Sequence, residues 1–140
     1  MAYYWYIIII IVLALVFFMI RRYQMFMKGI NTPNSEKLVA FTDKNFSHQI
    51  KNGIVLVDFW AEWCQPCKIQ GPIISQLAEE NEDKNIKIGK LNVENNPKVA
   101  QKLGIKNIPT IIIFKSGKEA NRLVGLKNKK ALEKAIKEIK

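Results

Sequence analysis

The sequence has very few of the residues that build metal and nucleotide sites. Its 140 residues include two cysteines and one histidine, His48. Zinc normally takes four protein ligands, or three and a water molecule, so one chain cannot complete a structural zinc site from these residues. The sequence also has no phosphate-binding glycine loop, internal repeat or low-complexity tract. We therefore predict no metal site, no bound cofactor and no repeat architecture.

Acidic residues are also scarce: 12 Asp and Glu stand against 22 Lys and Arg, which gives a formal net charge of +10. A basic chain can bind nucleic acid, but neither interleaved aromatic residues nor a nucleic-acid motif accompanies this charge. Nucleic-acid binding is therefore not predicted. The lysines near the C-terminus occupy the polar positions of a helical pattern, and we interpret them as a solvated surface. The alternative is attraction to anionic lipid head groups. His48 is interpreted as a surface residue.

The two cysteines, Cys64 and Cys67, are separated only by Gln65 and Pro66. A Cys-X-X-Cys pair serves redox exchange or forms half of a metal site. The lack of further ligands favours redox exchange, with a metal shared between two chains as the remaining alternative. Core packing would not require a proline between two buried cysteines, or Trp63 in front of them. The spacing therefore predicts a redox-active dithiol.

The segments around the dithiol predict a strand followed by a helix. Residues 53–60 form a nearly unbroken apolar run, as in a strand covered on both faces. After Cys64, apolar residues follow at helical spacing, namely Ile69, Ile73, Ile74 and Leu77. Cys64 then lies in the first turn of a helix, where backbone N–H groups and the macrodipole stabilise negative charge. Such sites lower the pKa of a cysteine to roughly 3.5 to 7.5. We therefore predict that Cys64 attacks and that Cys67, one turn along and less exposed, resolves.

Asp58 stands in the middle of the apolar run that predicts the central strand. Burying a carboxylate without compensation costs free energy or raises its pKa, so a buried acid tends to be kept for a use. The alternative is an aspartate at a strand end that reaches solvent. The dithiol, which begins six residues downstream, favours a functional carboxyl group.

Residues 57–68 read Val-Asp-Phe-Trp-Ala-Glu-Trp-Cys-Gln-Pro-Cys-Lys and resemble the active-site signature of the thioredoxin family. Gln65 departs from that signature, where the family usually has glycine, and this departure can shift the redox potential. Further matching positions are Pro72, Lys90, the triplet Ile108-Pro109-Thr110, Gly117 and Gly125. The resemblance covers about residues 38–140. It implies an α/β protein with the thioredoxin fold, in which a mixed central sheet is flanked by helices.

The resemblance also implies a catalytic cycle. Cys64 would be the nucleophile and Cys67 the resolving residue, and together they would form the redox disulfide. Asp58 would act as proton acceptor and donor for Cys67, directly or through water. Lys90 would tune Asp58, unless it is one of the many surface lysines. The expected activity is reduction of protein disulfides without a cofactor, sustained by an electron donor such as a thioredoxin reductase.

A substrate-binding surface beside the dithiol is implied as well. The Ile108–Pro109 bond would be cis, and the Ile108 backbone would pair with an extended substrate. A proline at the first residue of a strand is also tolerated without any such role. Trp63 is expected to be a partly exposed docking surface and Trp60 mostly core. The substrate-binding residues implied are Trp63, Pro66, Ile108, Pro109 and Gly125.

The remaining pattern predicts one compact domain over residues 38–140. Strands are expected at 38–41, 86–93, 110–114 and 120–124, the last two joined as a hairpin. Helices are expected from an N-cap at Thr42 to Lys51, over residues 97–103, and in a final amphipathic segment marked by Leu132, Ile136 and Ile139. Pro72 is interpreted as a packing kink in the dithiol helix.

The N-terminus contains no charged residue from position 2 to position 20. About 20 apolar residues span a bilayer, and the aromatic residues at positions 3–6 would form an interfacial belt. We predict a single transmembrane helix over residues 1–22, in contact with the lipid bilayer through residues 2–20. A cleaved secretory signal is the alternative, but it needs positive charge before the apolar stretch and small residues after it. Here Arg21 and Arg22 follow the stretch instead.

The same charges predict orientation. Arg21, Arg22 and Lys28 flank the downstream end of the stretch, so the positive-inside tendency retains that end in the cytoplasm. Residues 23–37 would form a short polar tether, which includes Gly29, Asn31, Pro33, Asn34 and Ser35. The prediction is a single-pass membrane protein with a cytoplasmic catalytic domain. Alternatives are an extracytoplasmic thioredoxin-like protein that handles cytochrome or envelope disulfides, and a non-catalytic anchored interaction module.

Overall fold

The computed structural model describes residues 2–30 and 35–140. The chain divides into an N-terminal unit, Met1–Thr32, and a C-terminal unit, Pro33–Lys140. The first unit contains one helix, and the second contains the sheet and the cysteines.

Helix α1 of the N-terminal unit runs over Ala2–Ile30. Its stretch Tyr3–Met25 is long and apolar enough to cross a membrane, and none of it is buried. The helix ends later than the predicted boundary at residue 22, because Arg, Gln, Met and Lys are good helix formers and no proline follows Arg22 within it. Residues 23–30, predicted as the start of the tether, are therefore helical. Asn31, Pro33 and Asn34 lie outside the described residues.

The C-terminal unit is built on a five-stranded sheet with strand order β1-β3-β2-β4-β5. Strands β1, β3 and β2 are parallel, whereas β4 is antiparallel to β2 and β5 is antiparallel to β4. The strands are Val39–Ala40, Ile54–Trp60, Ile86–Asn92, Thr110–Lys115 and Lys118–Val124, and the helices are α2 (Phe46–Gln49), α3 (Gln65–Glu80), α4 (Pro97–Lys102) and α5 (Lys129–Lys137). The predicted mixed sheet flanked by helices is confirmed.

Strand β2 is apolar except at Asp58, because both of its faces are covered. Ile54 and Leu56 pack in a cluster with residues of α3 and α5, such as Ile74 and Leu132. The alternate residues of β2 are Val55, Val57 and Phe59, and they pack in a second cluster with residues of α2 and α4. Truncating one of these buried side chains to alanine would cost about 2 to 5 kcal/mol. This packing holds the end of β2, and therefore the start of α3, in a fixed place.

Two predictions about helices of the C-terminal unit were wrong: the start of α2 and the buried face of α3. Helix α2 begins at Phe46 rather than after Thr42. Thr42 instead closes the preceding turn with Asn45: the Asn45 N–H donates to Thr42 Oγ1 at 3.3 Å, and the Thr42 N–H donates to Asn45 Oδ1 at 2.8 Å. Ile69 was predicted on the buried stripe of α3, but it is 39% exposed. The buried face follows Cys67, Gln70, Gly71 and Ile74 instead.

Candidate active site

The two cysteines lie where β2 passes through a short turn into α3. Cys64 is the N-cap of α3, and its Sγ accepts a hydrogen bond from the Cys67 N–H at 3.3 Å. Pro66 lies in the first turn, where the missing N–H is not needed for the helix. Cys64 and Cys67 are joined in a disulfide with a Cα–Cα distance of 5.3 Å. The structure is therefore that of the oxidised form.

Position in the helix, rather than burial, distinguishes the two sulfurs. Cys64 and Cys67 are 4% and 3% exposed, so the oxidised form does not show the predicted difference in exposure. Only Cys64 lies at the helix end, facing backbone N–H groups that have no intrahelical partner. Such groups, together with the helix macrodipole, stabilise negative charge on an N-terminal sulfur.

Aromatic and apolar side chains surround the disulfide. Trp60, Val93 and Ile108 pack against the cluster formed by Ala61 and the two cysteines. Trp63 is 66% exposed, as the docking prediction requires, and its Nε1 donates to Glu94 Oε1 at 3.1 Å. Trp60 was predicted as mostly core, but it is only half-buried. One face of the disulfide is therefore bordered by exposed apolar surface.

The loop before β4 forms a second side of the site. The Ile108–Pro109 bond is cis, as the resemblance implied, and Pro109 is buried. The Gly125 N–H donates to the Pro109 carbonyl at 2.8 Å. Gly125 has a φ of 79°, a backbone conformation that favours glycine. Of the predicted residues, Ile108 borders the cysteines, and Gly125 is joined to it through the adjacent Pro109.

Asp58 lies in β2, six residues before Cys64, and is fully buried, as predicted. Neither carboxyl oxygen has a hydrogen-bond partner among the described residues. Burial raises the pKa of Asp58 to about 7 against the opposing attraction of Lys90. A group with a pKa near neutrality can accept and return a proton with little free-energy cost.

Lys90 is the direct neighbour of Asp58 in the pairing of β2 with β3. Its Nζ lies 4.9 Å from the centroid of the Trp60 ring, a cation–π contact. Burial lowers the pKa of Lys90, and the charge of Asp58 opposes that shift. A Cβ atom added to Gly71 would lie 3.0 Å from the Lys90 Nζ. Since Gly71 follows Cys67 by one helical turn, the Lys90 ammonium lies against the helix that carries the dithiol, and Asp58 is its neighbour on β2.

Several residues of the site were not predicted. Gln70 is buried in α3 and hydrogen-bonded to the main chain of Lys127. The only sequence signal for this role of Gln70 was a polar residue at an interior helical position, one turn from the dithiol. The contacts of Gly71 with Lys90 and of Glu94 with Trp63 had no sequence signal, because they depend on how distant segments meet. Among residues 2–30 and 35–140, no group of three or more His, Cys, Asp or Glu could hold a metal ion.

A Cys-X-X-Cys disulfide at a helix N-terminus, with a cis-proline loop beside it and a buried acid in the strand that precedes it, is the arrangement of a thiol-disulfide oxidoreductase. The family model described as Thioredoxin matches residues 37–138. The chain is 50% identical to a thioredoxin of Chlorobaculum thiosulfatiphilum over 104 residues, which cover 73% of this chain and 95% of that protein. It is 41% identical to a thioredoxin of Bacillus subtilis (strain 168) over 99 residues, which cover 71% and 94%. The chain belongs to the thioredoxin family, and its relatives support disulfide oxidoreductase activity.

Proposed function

We propose that the chain is a membrane-anchored thioredoxin that reduces disulfides of protein substrates through Cys64 and Cys67. The observation that carries this proposal is the disulfide at the N-terminus of α3, bordered by Ile108 and preceded in β2 by the buried Asp58. The family assignment supports exchange chemistry. The exposed Trp63 and the cis-proline loop support a protein as the substrate.

The first step is attack by the reduced protein. The Cys64 thiolate bonds to one sulfur of the substrate disulfide, the substrate S–S bond breaks, and the other substrate sulfur leaves as a thiolate. Cys64 is the attacking residue in this proposal because it alone faces the N–H groups of the helix end. The product of this step is a mixed disulfide, with Ile108 bordering the joined sulfurs.

The second step is resolution. Asp58 in its carboxylate form takes the proton of the Cys67 thiol, and the Cys67 thiolate then bonds to Cys64 Sγ. The mixed disulfide breaks, the remaining substrate sulfur leaves as a thiolate, and the chain is left as the Cys64–Cys67 disulfide. The pair of electrons has passed from the dithiol to the substrate. An electron donor such as a thioredoxin reductase would restore the dithiol, and no bound cofactor is needed.

The membrane part of the proposal depends on α1. Tyr3–Met25 is long enough to span a bilayer, aromatic residues precede its aliphatic part, and Arg21 and Arg22 lie near its downstream end. That charge order disfavours a cleaved signal and favours a cytoplasmic catalytic unit. A signal sequence is also long and apolar enough to meet this criterion. The mass of the mature protein decides between a retained anchor and a cleaved signal sequence. An intact N-terminus in the membrane fraction supports the anchor.

Insulin reduction by the full chain in detergent micelles, with a small dithiol as electron source, tests the activity. The wild-type chain should accelerate insulin reduction well above the dithiol alone, and Cys64→Ser should abolish the acceleration. Equal rates for the two chains would contradict the proposal and favour a non-catalytic docking module. A docking role would also survive replacement of both cysteines by serine.

A further inference from the structure

Gln70 is a fully buried polar residue on the helix that carries the dithiol. Its carboxamide makes two hydrogen bonds with the main chain of a single distant residue, Lys127. The Lys127 N–H donates to Gln70 Oε1 at 2.8 Å, and Gln70 Nε2 donates to the Lys127 carbonyl at 3.1 Å. The contact joins residues that are 57 positions apart in the chain.

This pairing does more than fill space. A buried amide is costly when its donor or acceptor lacks a partner, and here both are satisfied by the main chain of the same residue, Lys127. An apolar side chain could fill the position by packing alone, without regard to the direction of the neighbouring backbone. Two hydrogen bonds to one residue fix both the distance and the orientation of that backbone relative to α3.

The backbone held by Gln70 belongs to the segment that borders the site. Val124 is the last residue of β5, and we call it and the three residues after it the 124–127 loop. Its Gly125 N–H donates to the Pro109 carbonyl at 2.8 Å, and the Lys127 Nζ donates to the Val124 carbonyl at 2.6 Å. The loop is therefore fastened to the cis-proline at one point and to the dithiol helix at another. Val124 and Leu126 on this loop expose apolar side chains.

We propose that Gln70 is a positioning residue that sets the separation between the dithiol helix and the 124–127 loop, and so fits the site to extended protein segments. This inference rests on the proposed function. A protein substrate lies against the walls of the site as well as on Cys64, whereas a small disulfide needs only the sulfur. Loosening the loop should therefore weaken use of protein disulfides and leave small disulfides unaffected.

The test compares Gln70→Met with Gln76→Met in the full chain. Methionine matches glutamine in length but cannot pair with Lys127, and Gln76 lies on the exposed face of the same helix. For Gln70→Met, we expect KM for insulin to rise roughly three- to tenfold, which corresponds to about the net free energy of one hydrogen bond, because only part of the cost of losing both bonds falls on substrate binding. The rate with a small aromatic disulfide should stay within about twofold of wild type, as expected when no transition-state interaction is lost. Gln76→Met should match wild type on both substrates.

Parallel loss on both substrates, or no change on either, would overturn the inference. An inactive wild-type chain would instead count against the proposed function, so the two failures are distinguishable. If Gln70→Met does not fold, nuclear magnetic resonance of a chain that keeps Gln70 replaces it. Trapping a peptide on Cys64 of the Cys67→Ser chain should shift the resonances of the Gln70 carboxamide and the Gly125 N–H. Unshifted Gln70 resonances in the trapped complex would refute the role.

Discussion

Lys90 lies opposite Asp58 in the pairing of β2 with β3, yet its ammonium stands over the Trp60 indole and makes no hydrogen bond to the carboxyl group. The attraction between the two charges is therefore too weak to offset the burial of Asp58. As a result, the pKa of Asp58 rises to about 7 instead of falling, as it would in a close ion pair. Ionisation of Asp58 is therefore unfavourable in the folded chain below about pH 7.

The first prediction concerns stability. The pKa of Asp58 is about 7 in the folded chain against an ordinary value of 3.8, so the folded state binds this proton more tightly than the unfolded chain. The free energy of unfolding should fall as pH rises between these two values and stay low above them. Asp58→Asn cannot undergo this titration, so it should be more stable than wild type above neutral pH. The difference in unfolding free energy between the variant and wild type should grow by about 4 kcal/mol from acid pH to pH above 7.

Urea unfolding of the oxidised C-terminal unit across this pH range measures the effect. The unit is suitable because the family relatives consist almost wholly of the matching region. A stability gain for Asp58→Asn that is the same in acid and in alkali would show that the Asp58 pKa is not raised by folding.

The second prediction concerns the resolving step. Asp58 must be ionised to take the Cys67 proton, so release of the mixed disulfide should accelerate as pH rises through about 7. Asp58→Asn should slow this release by about 10²-fold, the usual contribution of a positioned base. Stopped-flow measurement of mixed-disulfide lifetime against pH checks both the size and the inflection. Retention of the same inflection in Asp58→Asn would assign the titration to another group.

The third prediction concerns Gly71. An alanine Cβ would lie 3.0 Å from the Lys90 Nζ, so Gly71→Ala should push the ammonium away and weaken the attraction that lowers the Asp58 pKa. The inflection in the resolving step should then move to higher pH, and Lys90→Met should move it in the same direction. The helix itself should not suffer, since alanine is favoured over glycine by about 1 kcal/mol in a helix interior. An unchanged inflection in Lys90→Met would remove Lys90 from the site.

The fourth prediction concerns α1. Leu13 lies near the middle of Tyr3–Met25, and arginine at the centre of a membrane helix costs about 2.5 to 3.5 kcal/mol. Leu13→Arg should therefore reduce the fraction of the chain that resists extraction from membranes with alkaline carbonate. Leu13→Ile is the matched control and should behave as wild type. Equal extraction of the two variants would argue against a membrane span.

The orientation of the chain in the membrane is tested by labelling its thiols in intact and in opened cells. Cys64 and Cys67 are the only cysteines of the chain, so any labelled thiol comes from the dithiol. A thiol reagent that cannot cross membranes should label the reduced chain only after cells are opened. Labelling in intact cells would place the catalytic unit outside the cytoplasm and favour the handling of envelope disulfides.

Much of the architecture could be predicted from local patterns. The apolar run of β2 and the helical spacing after Cys64 predicted the strand-to-helix passage that carries the dithiol. The position of Asp58 within that run predicted its burial. Each of these signals lies within one segment, so neighbouring residues were sufficient to read it.

The features that escaped prediction depend on contacts between segments. Thr42 has the residue type of an N-cap but closes a turn with Asn45, and Ile69 fits the helical spacing but lies beside the buried face. The hydrogen-bond partner of Gln70 lies 57 positions away in the chain. The absence of a side chain at Gly71 is important only because the Lys90 ammonium lies next to it. The spacing of residues along the chain does not predict such contacts between distant segments.

The most direct test of the account is a trapping experiment with insulin as substrate. The account predicts that the Cys67→Ser chain, reduced and mixed with insulin, accumulates a covalent adduct through Cys64, and that Cys64→Ser accumulates none. The adduct should be released when a small dithiol is added. Equal adducts on both variants, or adducts only on Cys64→Ser, would contradict the claim that the sulfur at the helix N-terminus attacks and the other resolves.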